Sequence, residues 1–415
     1  MNTSAKLSLQ DNPVITGLWQ VADLERNGVA LDQQVASDSL LEYVDDGFTC
    51  FDMADHYGSA EIIAGVAKKR LSATHHPLAD KLRLYTKWCP EPNETTFELV
   101  KAGIMKRLER LDVDCIDLLQ LHWWTFDHPG YIDVMDHLHR LQQDGLIRHI
   151  GVTNFDTDHL HVLQSCGFNI VSNQVCLSVL DRRALGDMSQ LCQATGVRLL
   201  CYGTLAGGFI SERWLGAEKP EQIEDWSKMK YLRFIDATGG WSVFQALLQT
   251  LNTIAQQRNV SIANVATSWV LQQPSVAGII VGARVTQNQH RNSNKALLQL
   301  KLTDDDIAQI DQHEQMLAVV PGDCGSEYRR PPFLTASGDL SHHLDALPTV
   351  YQREAIAGFK QRFRISSGSE FEPVCGYSRG IREGNRILIS GTTATHGESR
   401  TIGNDPHAQT ERPVG

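Results

Sequence analysis

The chain has 415 residues, 42% hydrophobic and 21% charged, the balance of an ordinary soluble globular protein with room for one large domain and an appendage. A formal net charge of −11 gives it no electrostatic reason to bind nucleic acid or an anionic membrane, and no run approaches the roughly 20 apolar residues of a membrane helix. The N-terminus MNTSAKLSLQDNPV lacks the apolar core of a secretory signal, and the nine cysteines are scattered without any C-x-x-C, so a cytoplasmic protein with reduced thiols and no metal site is expected.

In chain order, short β-branched runs alternate with amphipathic stretches. The strand candidates are PVITGLWQV, FTCFDMA, RLYTKW, IDLLQLHW, IRHIGVTN, IVSNQVCLS, VRLLCYG and VAGIIVGA. Between them, QVASDSLLEYVDDG ends at Gly47 in the manner of a helix C-cap, and ETTFELVKAGIMKRLERLD opens acidic and ends basic. DVMDHLHRLQQDG and NQHRNSNKALLQL read as further helices, whereas residues 205–242 read as a long irregular stretch. Each strand is continuously apolar, as when both faces of a parallel strand are covered. Eight strand-then-helix units predict an α/β fold, a closed (β/α)8 TIM barrel over residues 1–320. The rival, a doubly wound open sheet, lacks its G-x-G-x-x-G fingerprint after the first strand.

In such a barrel the chemistry sits where strands end. Asp52, Lys87, His122, Asn154 and Gln174 all lie at or near the C-terminal ends of apolar runs, and the first three are 35 residues apart at each step, about one βα unit. A lysine beside an aspartate keeps its charge on burial, and a cation next to a tyrosine hydroxyl stabilises phenolate. Tyr57 follows Asp52 in the same loop. Acid chemistry from a tyrosine near neutrality needs roughly 3–4 kcal/mol of such stabilisation. Proton donor, cation, orienting carboxylate and polarising imidazole suit carbonyl reduction, and no serine or cysteine is paired with a base as a hydrolase would need.

These motifs resemble the aldo-keto reductase family across roughly residues 13–320. GFTCFDMADHYGSAE is similar to its Asp/Tyr signature, LYTKW to its lysine strand, LQLHWW to its histidine strand, and IGVTNF and SNQV to its nicotinamide-binding segments. The resemblance implies that Tyr57 donates the proton, Lys87 depresses its pKa, Asp52 holds Lys87 and His122 orients the carbonyl of a small aldehyde or ketone. It implies Thr153, Asn154 and Gln174 at the nicotinamide amide and Tyr202 stacked on the ring. Gly203, Leu205 and Gly208 would form a loop over the pyrophosphate, where small residues let backbone approach phosphate. In VGARVTQNQHRN, Gly282, Arg284, Asn288 and Asn292 would meet the adenosine end, Arg284 favouring NADPH, with NADH as the alternative. Trp19, with Trp88 and Trp123, which directly follow Lys87 and His122, is expected to line the substrate pocket. A cofactor-binding regulatory subunit with little turnover is the second reading. Oligomeric state is not legible.

After Pro321 the composition turns rich in Pro, Gly and Ser, predicting a linker draped over the barrel, with TVYQREAIAGFKQRF as a short amphipathic helix, over residues 321–368. Residues 369–415 hold two strand-like runs around an E-G-N turn, a hairpin pattern, and resemble the start of the RidA-type imine deaminases in GYSRG and ISGTTA. The resemblance implies only a partial α+β unit, because the chain stops before the region where that family places its substrate-binding arginine. Imine deamination by this segment is the third and weakest functional reading.

Overall fold

The computed structural model describes residues 12–25, 28–91, 95–126, 128–223, 226–283, 285, 290–329, 352–367, 369, 371–392, 395–396, 400–401 and 406–411. The eight apolar runs form β1 (Val14–Gly17), β2 (Cys50–Asp52), β3 (Arg83–Trp88), β4 (Ile116–Leu121), β5 (Ile147–Thr153), β6 (Ser172–Cys176), β7 (Arg198–Tyr202) and β8 (Val276–Gly282). Each pairs in parallel with the next, and β8 returns to β1 with Val14 opposite Ile279 and Gly17 opposite Gly282, closing the barrel. Every residue of β4 and of β6 is buried, as the continuous apolar pattern requires.

Helices wrap the barrel: α1 (Trp19–Glu25), α2 (Gln33–Asp45), α3 (Ala60–Ala73), α4 (Phe97–Leu111), α5 (Tyr131–Gln143), α6 (Thr157–Ser165) and α7 (Asp187–Thr195). Local chemistry sets their ends. Thr96 accepts from the Leu99 amide at the start of α4, and Asp112 ends that helix in the left-handed region at φ 51°. Between β7 and β8 the stretch read as irregular contains α8 (Trp226–Ala237), joined to α9 (Gly240–Arg258) through Gly239 and Gly240, both at positive φ, and then α10 (Ile262–Leu271). Two helices, α11 (Arg291–Gln299) and α12 (Asp304–Asp311), follow β8. No helix among the described residues is long and apolar enough to cross a membrane.

Side-chain alternation within the strands divides the barrel into layers. Ile15, Cys50, Tyr85, Leu118, Val171 and Leu200 form one apolar cluster, while Phe51, Leu84, Leu119 and Leu121 belong to a second one shared with the helices. A period of two from the first cluster carries the same face onward to Asp52 on β2, Lys87 on β3, and Gln120 and then His122 on and beyond β4. The lower barrel is therefore filled by apolar side chains and the upper layer by polar ones.

Beyond the barrel, residues 323–329 pack back onto it, ending in a 3-10 turn at Ser326–Tyr328. The expected helix over TVYQREAIAGFKQRF is instead two strands, β9 (Gln352–Ala355) and β10 (Arg362–Ser366). Gly358, at φ 86°, reverses the chain between them, and the pair is held by Arg353 over the Phe363 ring and an ion pair from Arg364 to Glu354. With β11 (Gly380–Glu383) and β12 (Arg386–Ile389) they make a four-stranded antiparallel sheet in the order β12-β11-β10-β9. The expected hairpin is present, Glu383 standing opposite Arg386 across a turn with Gly384 at φ 56°.

Candidate active site

The upper polar layer is a hydrogen-bonded unit. Lys87 Nζ donates to Asp52 Oδ2 and, at 2.9 Å, to the Met53 carbonyl. Asp52 Oδ1 accepts from Gln120 Nε2 at 3.0 Å and from Gln174 Nε2 at 2.8 Å, and Gln174 Nε2 also lies 2.9 Å from Gln120 Oε1. All four side chains are buried. A buried ion pair survives only when its remaining lone pairs are satisfied, and the two glutamines satisfy those of Asp52. Tyr57, in the loop between β2 and α3, lays its ring against this unit with Lys87 Nζ 5.2 Å from the ring centroid. Trp19 meets the same ring edge-on at 4.9 Å and His56 at 4.8 Å. His56 is itself held by Asp55, Nδ1 to Oδ1 at 2.8 Å.

His122 follows β4 immediately, and both of its ring nitrogens are buried with no hydrogen-bond partner. Burial first, then the positive neighbours His56, Arg329 and Lys87, hold its pKa well below the ordinary histidine value, so the imidazole is neutral. Burial, followed by the negative field of Asp52, pushes the Tyr57 hydroxyl well above the ordinary tyrosine value. Burial pulls the Lys87 ammonium down against the opposing pull of Asp52. The resting state thus holds a protonated phenol and a neutral imidazole on either side of the His56 ring, with a lysine–aspartate pair against the phenol ring. A buried polar group without a partner costs about 1–3 kcal/mol. An oxygen placed between Tyr57 and His122 would remove that cost.

The residues expected at the cofactor lie along the ends of β5 to β8. Thr153 is buried with its hydroxyl unpartnered. Asn154 sits in the left-handed region at φ 57°, its Oδ1 accepting from the Tyr202 hydroxyl at 2.8 Å. The Tyr202 hydroxyl also lies 3.2 Å from that of Tyr328, so a tyrosine expected only as a stacking ring is tied by its polar end. Gln174 turns its amide nitrogen to Asp52 and Gln120. A Cβ on Gly203 would strike Tyr231 and Cys176, whereas Gly208, at φ 91°, has open space where a side chain would stand; Leu205 packs between them against the core. Gly282 faces Gln20, whose Oε1 is buried without a partner. Asn292 is exposed on α11, and Arg284 and Asn288 lie outside the described residues. The orphaned Thr153 and Gln20 oxygens and the open backbone at Gly208 fit a bound nicotinamide nucleotide.

Of the three tryptophans expected at the substrate, Trp19 stands beside Tyr57, but Trp88 and Trp123 pack outward. Trp88 lies against α4, where a Cβ on Gly103 would meet its indole at 2.7 Å, and Trp123 is fully buried with Nε1 donating to the His128 carbonyl at 3.0 Å. Trp124 takes the inward place, its ring 5.4 Å from His122 and its buried Nε1 unpartnered. The alternation that sends His122 inward also sends Trp123 out and Trp124 in, a signal present in the sequence. Gln120 was legible as well, as a polar residue inside an otherwise apolar run. Tyr328 was not. It comes from beyond the barrel, its ring 6.1 Å from His122 and 5.5 Å from Trp124, with its hydroxyl accepting from the buried Lys230 of α8 at 3.4 Å.

Residues 13–315 match the Aldo/keto reductase family. Among curated proteins, the chain is 26% identical over 320 residues to the NADH-specific methylglyoxal reductase of Escherichia coli, covering 70% of this chain and 90% of that one. Among solved structures it is similar to a glycerol dehydrogenase from Gluconobacter oxydans, with a TM-score of 0.60 and 22% identity, over 75% of this chain and 94% of that one. An aldo/keto reductase from Klebsiella pneumoniae, solved with NADP and acetate, gives a TM-score of 0.54 at 21% identity, over 74% and 95% of the two chains.

Proposed function

The chain belongs to the aldo/keto reductase family, and on that premise we propose that it reduces a small aldehyde or ketone to the alcohol, with hydride from a nicotinamide cofactor and a proton from Tyr57. The observation that carries this reading is the buried Asp52–Lys87 pair against the ring of a protonated Tyr57, with, across the His56 ring, a neutral His122 whose two ring nitrogens have no partner. When bound, the cofactor supplies the hydride at nicotinamide C4. The protein's part is to hold and polarise the carbonyl. His122, neutral, donates one N–H to the carbonyl oxygen without competing for the proton. Tyr57 passes its hydroxyl proton to that oxygen as negative charge develops, and the Lys87 ammonium stabilises the phenolate left behind. Asp52 keeps Lys87 charged and in place, and is in turn held by Gln120 and Gln174.

Thr153, Asn154 and Gln174 would hold the nicotinamide amide, with Tyr202 against the ring. The Gly203–Gly208 loop would pass the pyrophosphate, and Gly282 with Arg284, Asn288 and Asn292 would reach the adenosine end. Arg284 favours NADPH, since a guanidinium fork suits a 2′-phosphate. The NADH-specific relative keeps NADH as the alternative. Trp19, Trp124 and Tyr328 make an aromatic wall suited to a small, largely apolar carbonyl compound. The test is cofactor absorbance with purified protein, NADPH and NADH side by side, and a panel of aldehydes, ketones and 2-oxoaldehydes. Absence of turnover across the panel, with the cofactor tightly bound, would transfer support to a regulatory role.

For residues 369–415 we propose a RidA-type segment without deaminase chemistry of its own. Its support is the β11–β12 hairpin, which leaves Ile387, Leu388 and Ile389 exposed. Ammonia release from an imine substrate that disappears when residues 369–415 are removed would overturn this.

A further inference from the structure

Asn154 is held in an unusual way. It stands in the left-handed region at φ 57°, a conformation that asparagine adopts more readily than most non-glycine residues and that its surroundings here hold in place. The Asn154 amide donates to the Gln174 carbonyl at 2.9 Å and its Oδ1 accepts from Tyr202, both within the barrel. Its carbonyl, however, accepts from Arg329 Nη1 at 2.6 Å. The same guanidinium donates from Nε to the Trp124 carbonyl at 3.1 Å and from Nη2 to the Trp123 carbonyl at 2.8 Å, with its plane 4.1 Å from the centroid of Phe126. One side chain therefore joins the backbone just after His122 to the backbone at Asn154.

Arg329 lies beyond the residues that match the family, in the segment that packs back over the barrel mouth. That segment is anchored independently. Glu327, fully buried, receives Arg183 Nη1 at 2.9 Å, and Arg183 is also paired with Asp181 and donates to the Asp323 carbonyl at 2.8 Å. Asp323 Oδ2 accepts from the Thr157 amide at 2.7 Å, at the start of α6. Gly325, at φ 80°, seats its backbone on Asn154 so closely that a Cβ would collide with the Asn154 carbonyl oxygen.

We propose that Arg329 is a positioning residue for hydride transfer, joining the His122 and Asn154 loops so that the carbonyl-orienting imidazole and the nicotinamide-binding amide keep a fixed separation. The chemistry is specific to arginine. Three carbonyls are reached at once by one rigid planar fork, and a lysine ammonium offers a single point that cannot span them. Loss of the fork leaves carbonyls to find new donors, and the two loops separate. A displacement of about 1 Å between reacting groups lowers rate about 100-fold.

The inference rests on the proposed reductase reading, and the test separates the two. In the full chain, wild type, Arg329→Lys and Arg329→Ala are compared for cofactor affinity by fluorescence, for kcat and KM, and for the isotope effect with cofactor deuterated at the transferred position. Arg329→Ala and Arg329→Lys are expected to lose about 100-fold in kcat, with an isotope effect larger than that of wild type and a smaller rise in the substrate KM. Added ethylguanidinium should restore part of the Arg329→Ala rate but none of the Arg329→Lys rate. Gly325→Ala, whose Cβ would press on both the Asn154 carbonyl and Arg329 Nη1 and so push the fork off its partner, should weaken cofactor binding and raise the isotope effect. An active wild type with an unchanged isotope effect and kcat in folded Arg329→Lys and Gly325→Ala would overturn the inference and leave the reductase reading intact. An inactive wild type would instead remove the reductase reading, and the inference with it.

Discussion

Strands β4 and β12, IDLLQL and RILI, both draw mainly on isoleucine and leucine and end in opposite environments. Every side chain of β4 is buried, whereas Ile387, Leu388 and Ile389 of β12 are 60%, 69% and 64% exposed. The difference is neighbours. In the closed barrel β4 has β3 and β5 on its two edges and helices behind it, while β12 is the edge of an open sheet with only β11 beside it among the described residues. Apolar area contributes roughly 25 cal/mol per Å² only when it leaves water, so equal hydrophobicity stabilises one region and not the other. The barrel holds its polar layer rigid because everything beneath is close-packed, and the open sheet offers no such support.

The widest gap is expected in catalysis. Tyr57→Phe should lower kcat for carbonyl reduction by roughly 10²–10⁴-fold while leaving the circular dichroism unchanged, and Leu388→Ser should leave kcat within about twofold. A Tyr57→Phe variant as fast as wild type would show that the proton comes from elsewhere. Next in size is Glu61, a fully buried carboxylate in α3 that receives Thr86, Arg107 and Arg110. Glu61→Ala strands two guanidinium groups and should cost about 3–5 kcal/mol in denaturant unfolding. Leu119→Ala in β4 should cost about 2–5 kcal/mol by the same measurement and Leu388→Ala in β12 less than about 0.5 kcal/mol. Equal losses at the two leucines would mean that β12 is covered in solution. The smallest effect is with pH. A proton donor works while protonated, and burial holds Tyr57 well above the ordinary tyrosine value of 10, so the decline in kcat with rising pH should begin only above that value. A decline centred near pH 8 would show the Lys87 ammonium acting on the hydroxyl far more strongly than its position over the ring implies.

The barrel was legible because its strands are buried on both faces and so read as unbroken apolar runs. Asp52, Lys87 and His122 were legible because one βα unit repeats at nearly constant length. What escaped the sequence was made by single residues reaching across the fold. Tyr328 and Arg329 lie in a Pro- and Gly-rich stretch with no periodicity, and their partners come from helix α8 (Lys230) and from two separate loops (Trp123 and Trp124, and Asn154). Helix α8 was hidden by the glycine-rich segments on either side of it, and β9 and β10 by helix-favouring Glu, Ala, Lys and Gln, whose preference is overruled once Gly358 turns the chain. Trp88 and Trp123 pack outward because adjacency to Lys87 or His122 along a strand puts a side chain on the opposite face.

Barrel closure between β1 and β8 also has a consequence in time. The first barrel strand to leave the ribosome is paired on one edge with β2 but must wait for nearly the whole barrel sequence before β8 arrives to cover the other. Until then Val14–Gly17 presents unpaired amides and carbonyls beside apolar side chains, a template for any passing strand. Contacts this distant in sequence form slowly. The nascent chain is therefore most prone to aggregate in the interval between its fourth and eighth strands, and a chaperone that shields β1 during that interval would raise the yield of folded protein.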